Sequence, residues 1–340
     1  MRTRQAMGII LELRLIPVVQ WSFTGVVLGS ALAARDGSMN WAILAASAVV
    51  AMLIHGVIAH TANDIVDWES GTDTHPSPRV LSGGSKVIGL GLLTPAQLRV
   101  MGIVGATLAT AIGIVLASQQ GWWLLIPGLA GLVGAAVYSL PPLRGAYRPI
   151  AGEAIAVMCG WICLFGADAV QRGSASPLAA LVALHWVLAC MTMLMLHHIP
   201  DREADLAATP TKRTTVARFA VHPHWYAAAW AVAGAGVGAG IAATTLPELW
   251  PSVIGALLAA LSALAARPDD LASVTRSEIA SVLVVMIGGL VSAALMYPPV
   301  AWIAVVPALL LPLDATVGRL AAAPSGPTII EPAADVTHRS

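Results

Sequence analysis

Apolar residues in this chain come in runs of roughly 20, the length a helix needs to cross a bilayer. The runs fall near 15–34, 41–61, 96–117, 122–140, 150–170, 177–199, 224–244, 250–266 and 278–296. A shorter run covers 298–314, where Tyr297-Pro298-Pro299 reads as either a tight turn or a kink, so the pattern predicts nine transmembrane helices, or ten. The period-2 alternation of a membrane barrel is absent. The chain is therefore read as an all-α integral membrane protein, one transmembrane domain over 1–320, with a tail at 321–340 whose composition predicts disorder. The first run continues past Leu28 without a convincing cleavage site, so it predicts a retained span and not a signal peptide.

Composition supports this class, with 57% hydrophobic and 11% charged residues and a mean hydropathy of +0.79. Membrane lipids are the expected surroundings. Formal net charge is zero, so no global basic field points to nucleic acid, and no such partner is expected. Of the 18 lysines and arginines, only Arg35 and Arg172 fall in outer segments if the N-terminus is inside. Arg319 and Arg339 lie at the C-terminus, and the rest fall on the N-terminal side. That asymmetry predicts a cytoplasmic N-terminus, with the plasma membrane of a bacterium as the expected location. Cys159, Cys163 and Cys190 lie within apolar runs and read as small buried hydrophobes.

Against this apolar background, "NDIVDWESGTD" (63–73) and "DREAD" (201–205) stand out. The first follows span two and the second span six, so an even number of crossings places both at the same face. On a continuing helix Asn63 and Asp67 share a face, as do Asp201 and Asp205, and Gly71 predicts a turn that brings Asp73 back over the first cluster. Carboxylates converging in this way repel unless a cation neutralises them, and an oxygen-only donor set favours Mg²⁺. Basic residues follow each cluster: Arg79 and Lys86 in "RVLSGGSK", and Lys212 and Arg213 in "KRTT". Acids, Mg²⁺ and bases at one mouth describe a diphosphate site, and an apolar cavity beneath it suits a hydrocarbon tail.

The two clusters, with "RVLSGGSKVIGLGLLTPAQ" and "YSLPPLRGAYRPIAGE", resemble the paired aspartate-rich motifs of the UbiA superfamily of intramembrane prenyltransferases. Within it they look most like the menaquinone-pathway branch, which prenylates 1,4-dihydroxy-2-naphthoate. The resemblance covers roughly 60–220. It implies a bundle, usually of nine spans, around a lipid-facing central cavity. It also implies Mg²⁺-dependent loss of diphosphate from an isoprenyl diphosphate, with capture of the allylic cation by an aromatic or other lipid-soluble acceptor. Carried over, Asn63, Asp67, Asp201 and Asp205 match the Mg²⁺-diphosphate positions, and Asp64 and Asp73 belong to the same first motif. Lys86, Lys212 and Arg213 match the basic partners of the diphosphate. Arg144 lies in the matching "PPLR" loop, with Tyr138 just before it.

One departure bears on the acceptor. The naphthoate enzymes commonly carry "NNIRD" where this chain reads "HHIPD" (197–201), so His198 replaces an amide and Pro200 an arginine. This raises a general-base role for His198. It also leaves room for an alternative, a membrane terpene cyclase that ionises and cyclises a prenyl diphosphate without an acceptor. A transporter reading fits less well, because the charge lies at one mouth and no inverted repeat is visible. Trp68, Trp161 and Trp186 are the tryptophans expected to line the cavity. Glu153 is read as an acceptor-orienting or capping residue, and Asp168 with Arg172 as a local ion pair. His55 and His60, five apart, are placed on different faces and given no role, and His185 is read as structural.

Overall fold

The structure is a computed structural model that describes residues 2–74, 84–219 and 221–322. A short helix, α1 (Arg2–Glu12), precedes the first span. Ten helices among the described residues are long and apolar enough to cross a membrane. They are α2 (Leu15–Ala34), α3 (Trp41–Ser70), α4 (Pro95–Gln120), α5 (Trp122–Ser139), α6 (Ala151–Arg172) and α7 (Pro177–Ala207). After a one-turn helix, α8 (Thr215–Phe219), come α9 (Pro223–Thr244), α10 (Pro247–Leu264), α11 (Leu271–Met296) and α12 (Pro298–Ala321). No strand occurs among the described residues. The tenth span settles the reading of Tyr297-Pro298-Pro299. These residues form the turn between two helices, and Pro298 opens a 3-10 segment before the last helix. The helical segment there continues to Ala322. The remainder of the expected tail and Arg79 lie outside the described residues.

Helix ends follow local chemistry. Asn40 caps α3 by accepting from the backbone N–H groups of Ala42 and Ile43. Thr94 and Gln97 form a reciprocal capping box ahead of Pro95, and Asp270 caps α11. Each satisfies backbone donors that a helix start leaves unpaired. α3 and α7 run past their apolar stretches, to Ser70 and Ala207, so both acidic motifs are helical. Gly71, at φ 87, ends α3 and turns the chain toward Asp73.

α2 is enclosed, packing on α6, α7 and α11. In lipid, close helix approach comes from small residues and not from expulsion of water. Gly29 shows this, since a Cβ there would collide with the Leu164 carbonyl oxygen of α6. Two spans contain a π-helical turn, Val19–Phe23 in α2 and Leu53–Ala59 in α3. A π-turn bonds i to i+5, so residues five apart come to the same face. His55 and His60 therefore lie side by side with ring centroids 5.0 Å apart. Their expected separation to different faces, which assumed regular α-helix, is corrected by this geometry. Gly56 lets the π-turn approach the α1–α2 corner, where an added Cβ would sit 3.3 Å from the Leu13 carbonyl oxygen.

Candidate functional site

Asp67 is the hub of the mouth. It is buried, and its Oδ2 accepts from Lys212 Nζ at 2.7 Å and from Asn63 Nδ2 at 3.0 Å. Its Oδ1 accepts from the Tyr147 hydroxyl at 2.7 Å, and the same phenol oxygen lies 2.7 Å from Ser70 Oγ. Lys212 also lies 3.5 Å from Asp205, so one ammonium links the α3 and α7 motifs. Burial alone would lower the Lys212 pKa, but Asp205, Asp67 and Asp73 hold it well above the usual lysine value. Burial and the charge of Asp67 push the Tyr147 phenol upward, which keeps it a donor.

A second cluster joins the first motif to the N-terminus. Asp64 is paired with Arg14 and accepts from the Ser85 hydroxyl and, at 3.0 Å, from the Ser85 backbone N–H. Ser85 Oγ also lies 2.7 Å from Glu12. Glu12 is fully buried, and burial outweighs Arg14 and Ser85 to push its carboxyl up to about 7. Gly84, at φ 67, passes over this cluster where a Cβ would meet Asp73 Oδ2 and lie 3.1 Å from Asp64 Oδ1. Burial and then Asp67 raise the Asp73 carboxyl to about 7. Arg14, Lys86 and Arg144 all hold a left-handed backbone, at φ 44, 62 and 44. Each conformation is strained for a residue with a Cβ and has to be imposed by its surroundings.

In the second motif, His197 Nδ1 lies 3.0 Å from Glu278 of α11, and its Nε2 lies 3.8 Å from Asp201. The histidine thus bridges a buried carboxylate to Asp201. His198 lines the cavity, and its Nδ1 is buried without a hydrogen-bond partner. Tyr138 also lines the cavity and packs beside Val66, Ala146 and Tyr147. Arg144 lies over the Tyr147 ring, 5.7 Å from its centroid. Arg213 is exposed, with its backbone N–H donating to Tyr147 O at 3.2 Å. Lys86 is half-buried directly after Ser85.

Below the mouth runs a cavity of about 380 Å³ with walls chiefly from α2 to α7, completed by Leu11 of α1, Glu278 of α11 and Asp314 of α12. Asn63, Asp67, Asp73, Asp201 and Lys212 line its charged end. Gly128, Gly131 and Gly166 line its walls, and an added Cβ would meet nothing within 4 Å at Gly128 or Gly166. Trp21 is the tryptophan of this lining. The three expected there lie elsewhere. Trp186 is buried with its N–H on Trp21 O, Trp161 bonds Ala180 O and stacks on Phe165, and Trp68 packs against Gly89.

The model of the UbiA prenyltransferase family matches residues 22–276. The chain belongs to that family. It is 26% identical over 181 residues to a 1,4-dihydroxy-2-naphthoate octaprenyltransferase from Mycobacterium leprae (strain TN). That alignment covers 53% of this chain and 59% of the relative, so the chain spans about three fifths of the length of the curated relative it matches. Among solved structures, a UbiA homolog from Archaeoglobus fulgidus bound to GPP and Mg²⁺ superposes with a TM-score of 0.60 at 13% identity. It covers 84% of this chain and 99% of that one. The same homolog bound to DMAPP and Mg²⁺ gives 0.56 at 12% identity, covering 92% and 96%. At these identities the superpositions establish the fold, which is UbiA-type.

The donor set of this UbiA-family chain fits a hard divalent cation. Asn63, Asp67, Asp201 and Asp205 offer oxygen donors, and Asp205 Oδ2 is buried without a partner while its Oδ1 has only Lys212, 3.5 Å away. An unsatisfied buried carboxylate is costly, and a cation relieves that cost. Among the described residues no three His, Cys, Asp or Glu close on one point. A bound cation would therefore take part of its shell from ligand or water oxygens. Sequence reasoning missed Arg14, Glu12, Ser85, Tyr147 and Glu278 as parts of this site. Their signals are lone polar residues beside apolar runs, and only tertiary contact brings them to the motifs.

Proposed function

We propose that the chain is an Mg²⁺-dependent intramembrane prenyltransferase, transferring an isoprenyl group from a prenyl diphosphate to an aromatic acceptor and releasing diphosphate. The observation that carries the reading is the joining of the α3 and α7 acidic motifs through Lys212 at the mouth of an otherwise apolar cavity. The asymmetry of basic residues supports a cytoplasmic mouth.

Asn63, Asp67, Asp201 and Asp205 would hold Mg²⁺, which supplies positive charge to the diphosphate oxygens when bound. Lys212, with Arg14 and Arg144 nearby, holds the anionic end against the mouth. As the carbon–oxygen bond breaks, the electron pair leaves on diphosphate, where fixed positive groups stabilise it without reorganising. The tail lies in the cavity, whose walls exclude water from the allylic cation. The acceptor's π electrons then form the new carbon–carbon bond, and the acceptor loses a proton. Tyr147 fixes the Asp67 carboxylate by hydrogen bonding, and His197 fixes Asp201.

A second reading uses the same ionisation without an acceptor. His198 favours it, because its unpartnered Nδ1 in the cavity wall could take a proton from a cyclised cation. Incubation with geranyl diphosphate, Mg²⁺ and 1,4-dihydroxy-2-naphthoate separates the two. The proposal expects a prenylated naphthoate whose formation stops with EDTA and resumes with Mg²⁺. Cyclic hydrocarbon or alcohol formed equally well without acceptor would overturn it in favour of cyclisation. Indifference to chelator would remove the metal from the account.

A further inference from the structure

Deeper in the cavity than the carboxylates, the paired π-turns assemble a polar patch in an apolar wall. His55 and His60 stand side by side, with centroids 5.0 Å apart. His55 Nδ1 lies 2.8 Å from Ser22 Oγ, and the Trp21 ring meets His55 edge-on at 6.4 Å. Trp21, Ser22, Ser47, His55 and His60 all line the cavity. Three of their polar atoms are buried without a hydrogen-bond partner: His60 Nδ1, Trp21 Nε1 and Ser47 Oγ. Each residue carrying one is more than nine-tenths buried.

An orphaned buried polar group costs roughly 1–3 kcal/mol, so three around one cavity call for a ligand that completes them. His60 Nδ1 has no partner, and the His60 ring lies against the backbone carbonyls of Glu12 and Leu13. With the ring proton on the nitrogen beside those carbonyls, Nδ1 is an acceptor. Trp21 Nε1 is a donor only. An acceptor and a donor together match a molecule bearing both a hydroxyl and a second oxygen. His60 precedes Asn63 by three residues, roughly 4–5 Å of helix rise, so a ring held there lies within reach of a carbon leaving the diphosphate.

We propose that His60 and Trp21, with the His55–Ser22 pair behind them, form the acceptor subsite, and that the ligand is a hydroxylated aromatic ring whose hydroxyl donates to His60 Nδ1. The inference deepens the prenyl-transfer reading and rests on it. A hydrogen bond from the ring hydroxyl both orients the acceptor and raises electron density at the ring carbon that attacks.

The test compares binding of 1-hydroxy-2-naphthoate with that of 2-naphthoate, which lacks the hydroxyl, in wild type, His60→Phe, His60→Asn and Trp21→Phe. Wild type is expected to favour the hydroxylated ring by about tenfold, the worth of one hydrogen bond. His60→Phe should erase that preference, and His60→Asn should recover most of it. Trp21→Phe should weaken both ligands, and in all three variants the KM for geranyl diphosphate should change less than twofold. An unchanged preference for the hydroxylated ring in His60→Phe would overturn the subsite. So would a KM for geranyl diphosphate rising in step with the loss of naphthoate affinity, since that is the signature of a histidine that only pins the α1–α2 corner. If His60→Phe does not fold, His60→Asn and Trp21→Phe decide the matter, and wild-type binding by both overturns the proposal. The parent reading fails separately. Wild type that binds the naphthoate through His60 but prenylates nothing would contradict prenyl transfer and leave the subsite standing.

Discussion

At the residue scale, the mouth is organised by pairings that hold charge in place before any ligand arrives. Tyr147 donates to Asp67 and touches Ser70, so it sets the carboxylate's orientation. Tyr147→Phe should reduce turnover by about tenfold, the cost of one hydrogen bond of roughly 1 kcal/mol or slightly more, with helicity by circular dichroism intact. Full turnover would show that Asp67 does not depend on this phenol. Glu12 carries a different expectation. Its folded pKa of about 7 exceeds the ordinary 4.5, so between those values the folded chain keeps a proton that the unfolded chain has released. Stability therefore falls as pH rises through this window, and above about 7 the loss is complete, on the order of 3 kcal/mol. Glu12→Gln should match wild type near pH 4.5 and melt at higher temperature than wild type at pH 8. Parallel melting at the two pH values would place the Glu12 carboxyl in an ordinary environment.

At the element scale, long apolar runs made the spans legible, because a bilayer leaves few other ways to satisfy backbone groups. The helical spacing of Asn63 with Asp67 and of Asp201 with Asp205 was legible for the same reason. The π-turns were not. They insert one extra residue per turn without a composition signal, so His55 and His60 read as diverging while the structure sets them side by side. Arg14 and Tyr147 were hidden differently, since each reaches its aspartate across a long stretch of chain, Arg14 to Asp64 and Tyr147 to Asp67. Trp21 lines the cavity, and mid-span position alone did not distinguish it from Trp161 and Trp186. The glycines of α5 carry the prediction at this scale. Gly131 faces the cavity with only Ile54 near, at 3.8 Å. Gly131→Phe should fill that volume and shift preference from geranylgeranyl to geranyl diphosphate in a competition assay read by product masses. An unaltered product ratio would place the tail along another wall.

At the scale of the whole molecule, the bundle keeps a largely apolar cavity beneath a charged mouth, and in the proposed reaction the two ends would serve different parts of one substrate. In that reaction the positively charged groups at the mouth would stabilise the leaving anion, while the apolar walls would protect the cation left behind. On that reading neither end would suffice alone: charge without the cavity would give hydrolysis, and the cavity without charge would give no ionisation. Such a division would account for the acidic motifs sitting at the ends of α3 and α7.

The most direct measurement is the rate of diphosphate release from geranyl diphosphate with Mg²⁺ and 1,4-dihydroxy-2-naphthoate, in wild type, Asp67→Asn and Asp205→Asn, each shown to be folded. The account predicts release matched by prenylated product in wild type, and a fall of about 10²–10³-fold in either variant, the loss typical of one preorganised electrostatic group. Release at the wild-type rate in either folded variant would contradict it.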